Sequence, residues 1–172
     1  MKGAALSRKG TPYKGGGSLT QEEKSQELYK TIAPLLEEGK NLEIHPTGTS
    51  MYPLLTGEDV VILKPLIGEE KLRKNQILLY RRENGLLVLH RLCKIREDGF
   101  YFVGDNQTEV EGPLRREAVL AVVTDICRHG KWFSAKAPWY LFLSRVWLFL
   151  RPVRPLISRP LGMVYRKIKG RK

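Results

Sequence analysis

Three short segments hold the residue types that nucleophilic catalysis uses. They are Ser50 in His45-Pro46-Thr47-Gly48-Thr49-Ser50-Met51-Tyr52-Pro53, His90 in Leu86-Leu87-Val88-Leu89-His90-Arg91-Leu92-Cys93, and Asp105 in Gly104-Asp105-Asn106. A serine hydroxyl is a poor nucleophile near neutral pH, so it needs a base within hydrogen-bond reach and donors for an oxyanion. Ser50 follows Gly48 by two residues and precedes Pro53 by three. Glycine reaches backbone conformations closed to other residues and proline bars continuous helix, so this spacing predicts a rigid bend presenting one hydroxyl. An ordinary surface turn has the same composition, and only the downstream segments give Ser50 a partner.

Of the three histidines, His45 lies beside a proline and His129 lies in a polar Arg-His-Gly-Lys turn. Both read as surface residues. His90 shares a strand face with Leu86, Val88 and Leu92 by alternation. Burial there disfavours imidazolium and keeps the ring neutral, able to accept a proton at pH 7. A histidine satisfied inside a core fits the same pattern. Asp105 closes the strand Phe100 to Val103, next in sequence after the His90 strand. If the two strands pair, Asp105 can approach His90 and hold its tautomer, as an acid does in serine hydrolases. Gly-Asp-Asn is equally a set of turn residues.

The elements that must position these groups are mostly strands. Before them, Thr20 and Glu23 form a capping box, and Leu28, Ile32, Leu35 and Leu36 recur at helical spacing up to Gly39, with Pro34 as a possible kink. After Asn41 the period becomes that of strands. Val60 to Leu63 follows a turn at Gly57, and Glu83-Asn84-Gly85 joins Ile77–Arg82 to Leu86–Arg96 as a hairpin. Asp98-Gly99 turns the chain into Phe100 to Val103, and Ala118 to Cys127 is a further buried strand. The expected fold class is mainly β, a barrel or a pair of packed sheets, with an N-terminal helix and a C-terminal amphipathic helical tail.

The charge is unevenly distributed. The 172 residues carry a net charge of +12, yet twelve Lys and Arg and no acid lie between Arg128 and the end. Residues 1 to 18 add four basic residues and no acid, leaving 14 basic and 18 acidic residues for 19 to 127. Four regions follow: a disordered basic arm (1–18), a helix (19–40), a β-rich domain (41–130) and a basic amphipathic tail (131–172). The run Trp139 to Leu150 is intensely apolar but interrupted by Arg145. It is shorter than the about 20 residues that span a bilayer, and with its flanking arginines it reads as an in-plane anchor on an anionic membrane surface. The alternative is a helix docked on the protein's own core. Nucleic acid is the disfavoured partner for the tail, because its tryptophans and phenylalanines suit lipid better than bases. Cys93 and Cys127 read as buried free thiols, too few for a disulfide framework or a zinc site. No apolar signal run opens the chain, so a cytoplasmic or membrane-surface location is expected. No metal or cofactor is expected.

In order, Gly48-Thr49-Ser50-Met51-Tyr52-Pro53, Leu89-His90-Arg91 and Phe102-Val103-Gly104-Asp105-Asn106 resemble the serine peptidases that include type I signal peptidases and the self-cleaving SOS repressors. The resemblance covers about residues 44 to 126. It implies a coiled β-sheet domain in which Ser50 is nucleophile, His90 general base and Asp105 supporting acid. With histidine in the base position, the chain is similar to the Ser–His branch found among endoplasmic-reticulum, archaeal and spore-former signal peptidases. Gly48 stands where many of that group have a serine that helps the oxyanion hole, so Thr49 or backbone N–H groups would serve instead. No membrane-spanning segment precedes Ser50, and the residues before it are too few for the repressors' DNA-binding domain. The implied activity is that of an endopeptidase cleaving an extended peptide or leader. The alternative is a catalytically idle, peptide-binding accessory factor of the same fold.

Overall fold

The computed structural model describes residues 20–68 and 70–151, with side chains of residues 21 and 22 left aside. The expected arm at 1–18 and the tail beyond residue 151 lie outside the described residues. The first helix, α1 (Gln21–Glu37), starts at the expected box: the Thr20 hydroxyl accepts from the Glu23 N–H at 3.2 Å and the Glu23 carboxylate accepts from the Thr20 N–H at 2.7 Å. Each bond satisfies an N–H that the first helical turn otherwise leaves without a partner. Pro34 lies inside α1 without ending it. Ile32 and Leu36 are buried on its inner face.

Eight strands follow: β1 (Leu42–Ile44), β2 (Val60–Pro65), β3 (Ile77–Arg81), β4 (Leu87–Arg96), β5 (Gly99–Val103), β6 (Glu111–Leu114), β7 (Val119–Arg128) and β8 (Lys131–Ser134). They form one antiparallel sheet in the order β1-β2-β7-β3-β4-β5-β6, with β8 on the free end of β7. Alternation divides the core between the two faces. On β3, Ile77 and Leu79 join Val61, Leu63, Ala121 and Ile126 under the helices, while Leu78 and Tyr80 pack with Leu92, Phe102 and Val122 on the other side. Both faces are therefore buried, and the protein is mainly β with a single sheet in place of the two packed sheets considered above.

The Asn-Gly hairpin forms as expected, with the Arg82 N–H donating to Leu86 O at 2.9 Å and Gly85 in the left-handed region at φ +84°. Three strands escape the sequence pattern: the three-residue β1, β6 and β8. β6 contains Gly112-Pro113, and proline is tolerated there because β6 is the edge strand of the sheet. β8 belongs to the sheet although it falls within 131–172, so the sheet runs past residue 130 to Ser134. The second helix, α2 (Pro138–Phe149), then packs back on the core through fully buried Tyr140 and Ser144. Cys93 and Cys127 are free and half-buried.

Candidate active site

Ser50 sits in a tight turn between β1 and β2. The turn closes through the Tyr52 N–H to Thr49 O at 3.1 Å and the Leu55 N–H to Met51 O at 2.9 Å. Gly48 has φ +83° with open space where a Cβ would stand, so backbone conformation and not crowding selects glycine there. Met51, Leu54 and Leu55 are buried in the core and pin the turn from below. From the other side, Asp59 accepts from the Thr56 N–H at 2.8 Å and pairs with Arg128 at 2.9 and 2.7 Å, and Arg128 also donates to Leu54 O. Burial pushes the Asp59 carboxyl up, but hydrogen bonds from Arg128 and Thr56 outweigh it and hold the group below its ordinary range.

The Gly104-Asp105-Asn106 segment grips the same turn. The Asn106 N–H donates to Ser50 O at 2.7 Å. At Gly104 a Cβ would stand 2.6 Å from that Ser50 oxygen, so only glycine lets the two backbones approach this closely. Asp105 is fully buried, with its carboxylate in a two-pronged pair with the buried Arg91 at 2.9 and 2.7 Å. Arg91 also donates to Asn75 O at 2.9 Å. The sequence reading placed Asp105 behind His90; the register Arg91↔Val103 instead directs it to the arginine next door.

The group behind His90 is Tyr80, with Glu111 beyond it. His90 is buried, and its Nδ1 lies 3.0 Å from the Tyr80 oxygen. Tyr80 donates its single proton to Glu111 at 2.7 Å, and Arg82 donates to both oxygens of that carboxylate at 2.6 Å. With its own proton committed, the Tyr80 oxygen accepts from Nδ1–H, which fixes the tautomer and leaves Nε2 as the ring's acceptor. Burial, the Glu111 hydrogen bond and its charge together push the Tyr80 phenol well above its ordinary value, so it stays protonated. Burial also raises the Glu111 carboxyl, but the Arg82 and Tyr80 hydrogen bonds outweigh it and hold the group ionised. His90 is pushed down to about 4, mainly by burial, with the Glu111 charge opposing, Arg82 reinforcing, and the Asp105 charge also opposing although that carboxylate is paired with Arg91. The ring is therefore neutral at pH 7.

Ser50 and His90 line one cleft of about 240 Å³, together with Pro46, Thr47, Gly48, Arg82, Leu87–Leu89 and Gln107. The direct Ser50–His90 hydrogen bond that the sequence reading calls for is not among those of the described residues; such bonds are commonly long before a substrate is engaged. Thr49 is exposed and does not line the cleft, whereas Thr47 and Gln107 do. Gln107 escaped the sequence reading, although it stands two residues beyond Asp105. His45 and His129 are exposed, as expected.

One wall of the cleft is an open strand edge. β5 pairs with β4 only from Arg91 onward, and the Leu87 N–H points away from β3 to the Ser25 hydroxyl at 2.8 Å. Alternation then turns the N–H and C=O of Leu89 to the same open side. Among the described residues no group of three or more His, Cys, Asp or Glu is placed to hold a metal ion. No family model, no curated protein and no solved structure matches this chain.

Proposed function

We propose that this protein is a serine endopeptidase of the signal-peptidase type. Ser50 attacks a peptide carbonyl, His90 takes the hydroxyl proton on Nε2 and returns it to the leaving amine, and water then hydrolyses the acyl-enzyme. One observation carries the reading: Ser50 and His90 line the same cleft while Tyr80, on the far side of the ring, leaves Nε2 as the acceptor. The substrate is an extended peptide that adds a strand at Leu89, because a strand edge beside a nucleophile offers backbone pairing without regard to sequence. The oxyanion falls to backbone N–H groups of the Ser50 turn, with Thr47 and Gln107 within the cleft.

The test is covalent labelling of the full chain with a fluorophosphonate probe. A single adduct on Ser50 is expected, lost in Ser50→Ala and slowed by at least about a hundredfold in His90→Ala, the lower end of what a positioned general base supplies. Labelling that persists in Ser50→Ala would sink the proposal. The second reading, an idle peptide-binding accessory factor, is favoured by the open strand edge at Leu89, which can pair with a peptide whether or not Ser50 reacts. It stands if the probe leaves Ser50 untouched while extended peptides still bind at the Leu89 edge.

A further inference from the structure

α2 has two apolar faces, and the core uses only one. Its inner stripe is Tyr140, Ser144 and Trp147, at spacings of four and three residues. Tyr140 donates to Leu54 O at 3.2 Å, Ser144 accepts from Asn75 at 2.8 Å, and the Trp147 indole donates to Asp105 O at 2.6 Å. The outer stripe is Trp139, Phe142, Leu143, Val146 and Phe149, exposed by 55%, 69%, 46%, 38% and 82%. Five large apolar side chains on one face of a twelve-residue helix form a contiguous patch that water disfavours.

The surrounding charge selects the occupant. Arg145 flanks the stripe on α2, and from Arg128 to the end of the sequence every charged residue is basic. A second copy laid face to face would oppose these cations to their own kind. Nucleic acid would answer the cations and leave the phenylalanines in water. An anionic lipid surface answers both, taking the apolar stripe to the level of its acyl chains and the arginines at its headgroups. No helix among the described residues is long and apolar enough to cross a membrane, so the contact lies in the membrane plane.

We infer that the outer face of α2 seats this domain on an anionic membrane surface. The inner face of the same helix touches the Ser50 turn at Leu54 and the clamp at Asp105, so lipid contact fixes how the cleft lies relative to the bilayer. The inference stands on the helix and its charge, independently of whether Ser50 is a nucleophile.

Flotation of the full chain with vesicles of phosphatidylglycerol and phosphatidylcholine, against phosphatidylcholine alone, tests it. Binding is expected on the anionic vesicles only, weakening as salt rises. The variant Phe142→Glu/Phe149→Glu alters two exposed positions, so its fold should persist, as circular dichroism checks. Its binding is expected to fall by at least about tenfold, because binding scales with buried apolar area. Wild-type protein that fails to float overturns the inference, and so does a variant that floats undiminished, which would assign the contact to the basic tail alone. A wild-type dimer in sedimentation that the variant abolishes, without vesicle binding, would assign the stripe to a second copy instead. Binding of duplex DNA in place of vesicles at matched salt would likewise overturn it.

Discussion

Tyr80 decides what His90 can do, because its hydroxyl lies between the ring Nδ1 and the Glu111 carboxylate and has only one proton to give. Committed to Glu111, it leaves Tyr80 as an acceptor and holds the His90 proton on Nδ1. Tyr80→Phe is expected to free the tautomer and slow probe labelling of Ser50 by at least about tenfold, a part of the about 10²–10⁴ that a positioned base contributes. The pH profile separates this role from a merely structural one. Labelling should rise as pH passes through about 4, where His90 loses its proton. The Glu111 charge raises that value, so Glu111→Gln should move the limb to lower pH; Arg82 lowers it, so Arg82→Gln should move the limb up. Limbs that coincide in all three proteins would remove Glu111 and Arg82 from the ring's environment. Gly104 makes a different demand. A methyl group there meets Ser50 O at 2.6 Å, so Gly104→Ala should destabilise the fold by about 1–3 kcal/mol, as crowding of packed atoms does, and displace the turn. Chemical denaturation measures the first effect and labelling the second.

At the scale of elements, the Gly104-Asp105-Asn106 segment works as a clamp joining β5 to the nucleophile turn, and α2 closes it from behind. Asp105→Asn removes the charge opposite a fully buried Arg91, and breaking such a pair costs about 3–5 kcal/mol because the remaining charge stays buried. A loss under about 1 kcal/mol by urea titration would contradict that account. Trp147→Phe should cost less, about 1–3 kcal/mol, by removing the indole donor to Asp105 O. These elements were unequally legible in the sequence. The β3–β4 hairpin could be read because Glu83-Asn84-Gly85 lies between two apolar runs, and α1 because its cap and period agree. β6 could not, because Gly112-Pro113 lacks the composition of a strand. The bend at Ser50 and the burial of His90 follow from local pattern, whereas the close approach of Gly104 to Ser50 O does not. Glu111 does not: it lies 4.0 Å from His90 Nδ1 and shares Tyr80 with it, and the three sit on β6, β4 and β3. The partner of Asp105 depends on the register of β4 with β5, where a shift of one residue exchanges His90 for Arg91.

Across the whole molecule, the buried charges separate into pairs that cost stability in acid at different points. Asp59 and Glu111 are held ionised below their ordinary values by Arg128 and by Arg82 with Tyr80, so their contribution is present above about pH 4–5 and lost below. His90 acts earlier. Its ring titrates at 6.5 in a solvated chain and at about 4 in the fold, where burial excludes the proton. As pH falls from 6.5 to 4 the unfolded chain binds a proton that the folded one does not, and stability falls with each step. Above 6.5 neither state gains the proton and the His90 contribution is fully present. Thermal melts should therefore be level above about pH 7, decline from 6.5 towards 4, and drop more steeply once the carboxylates protonate. His90→Gln, which has no proton to exclude, should flatten the first decline and leave the second. A melting temperature that does not change between pH 6.5 and 4 would mean that His90 is hydrated in the fold, and a hydrated ring would lose the desolvation that places its acid limb near pH 4.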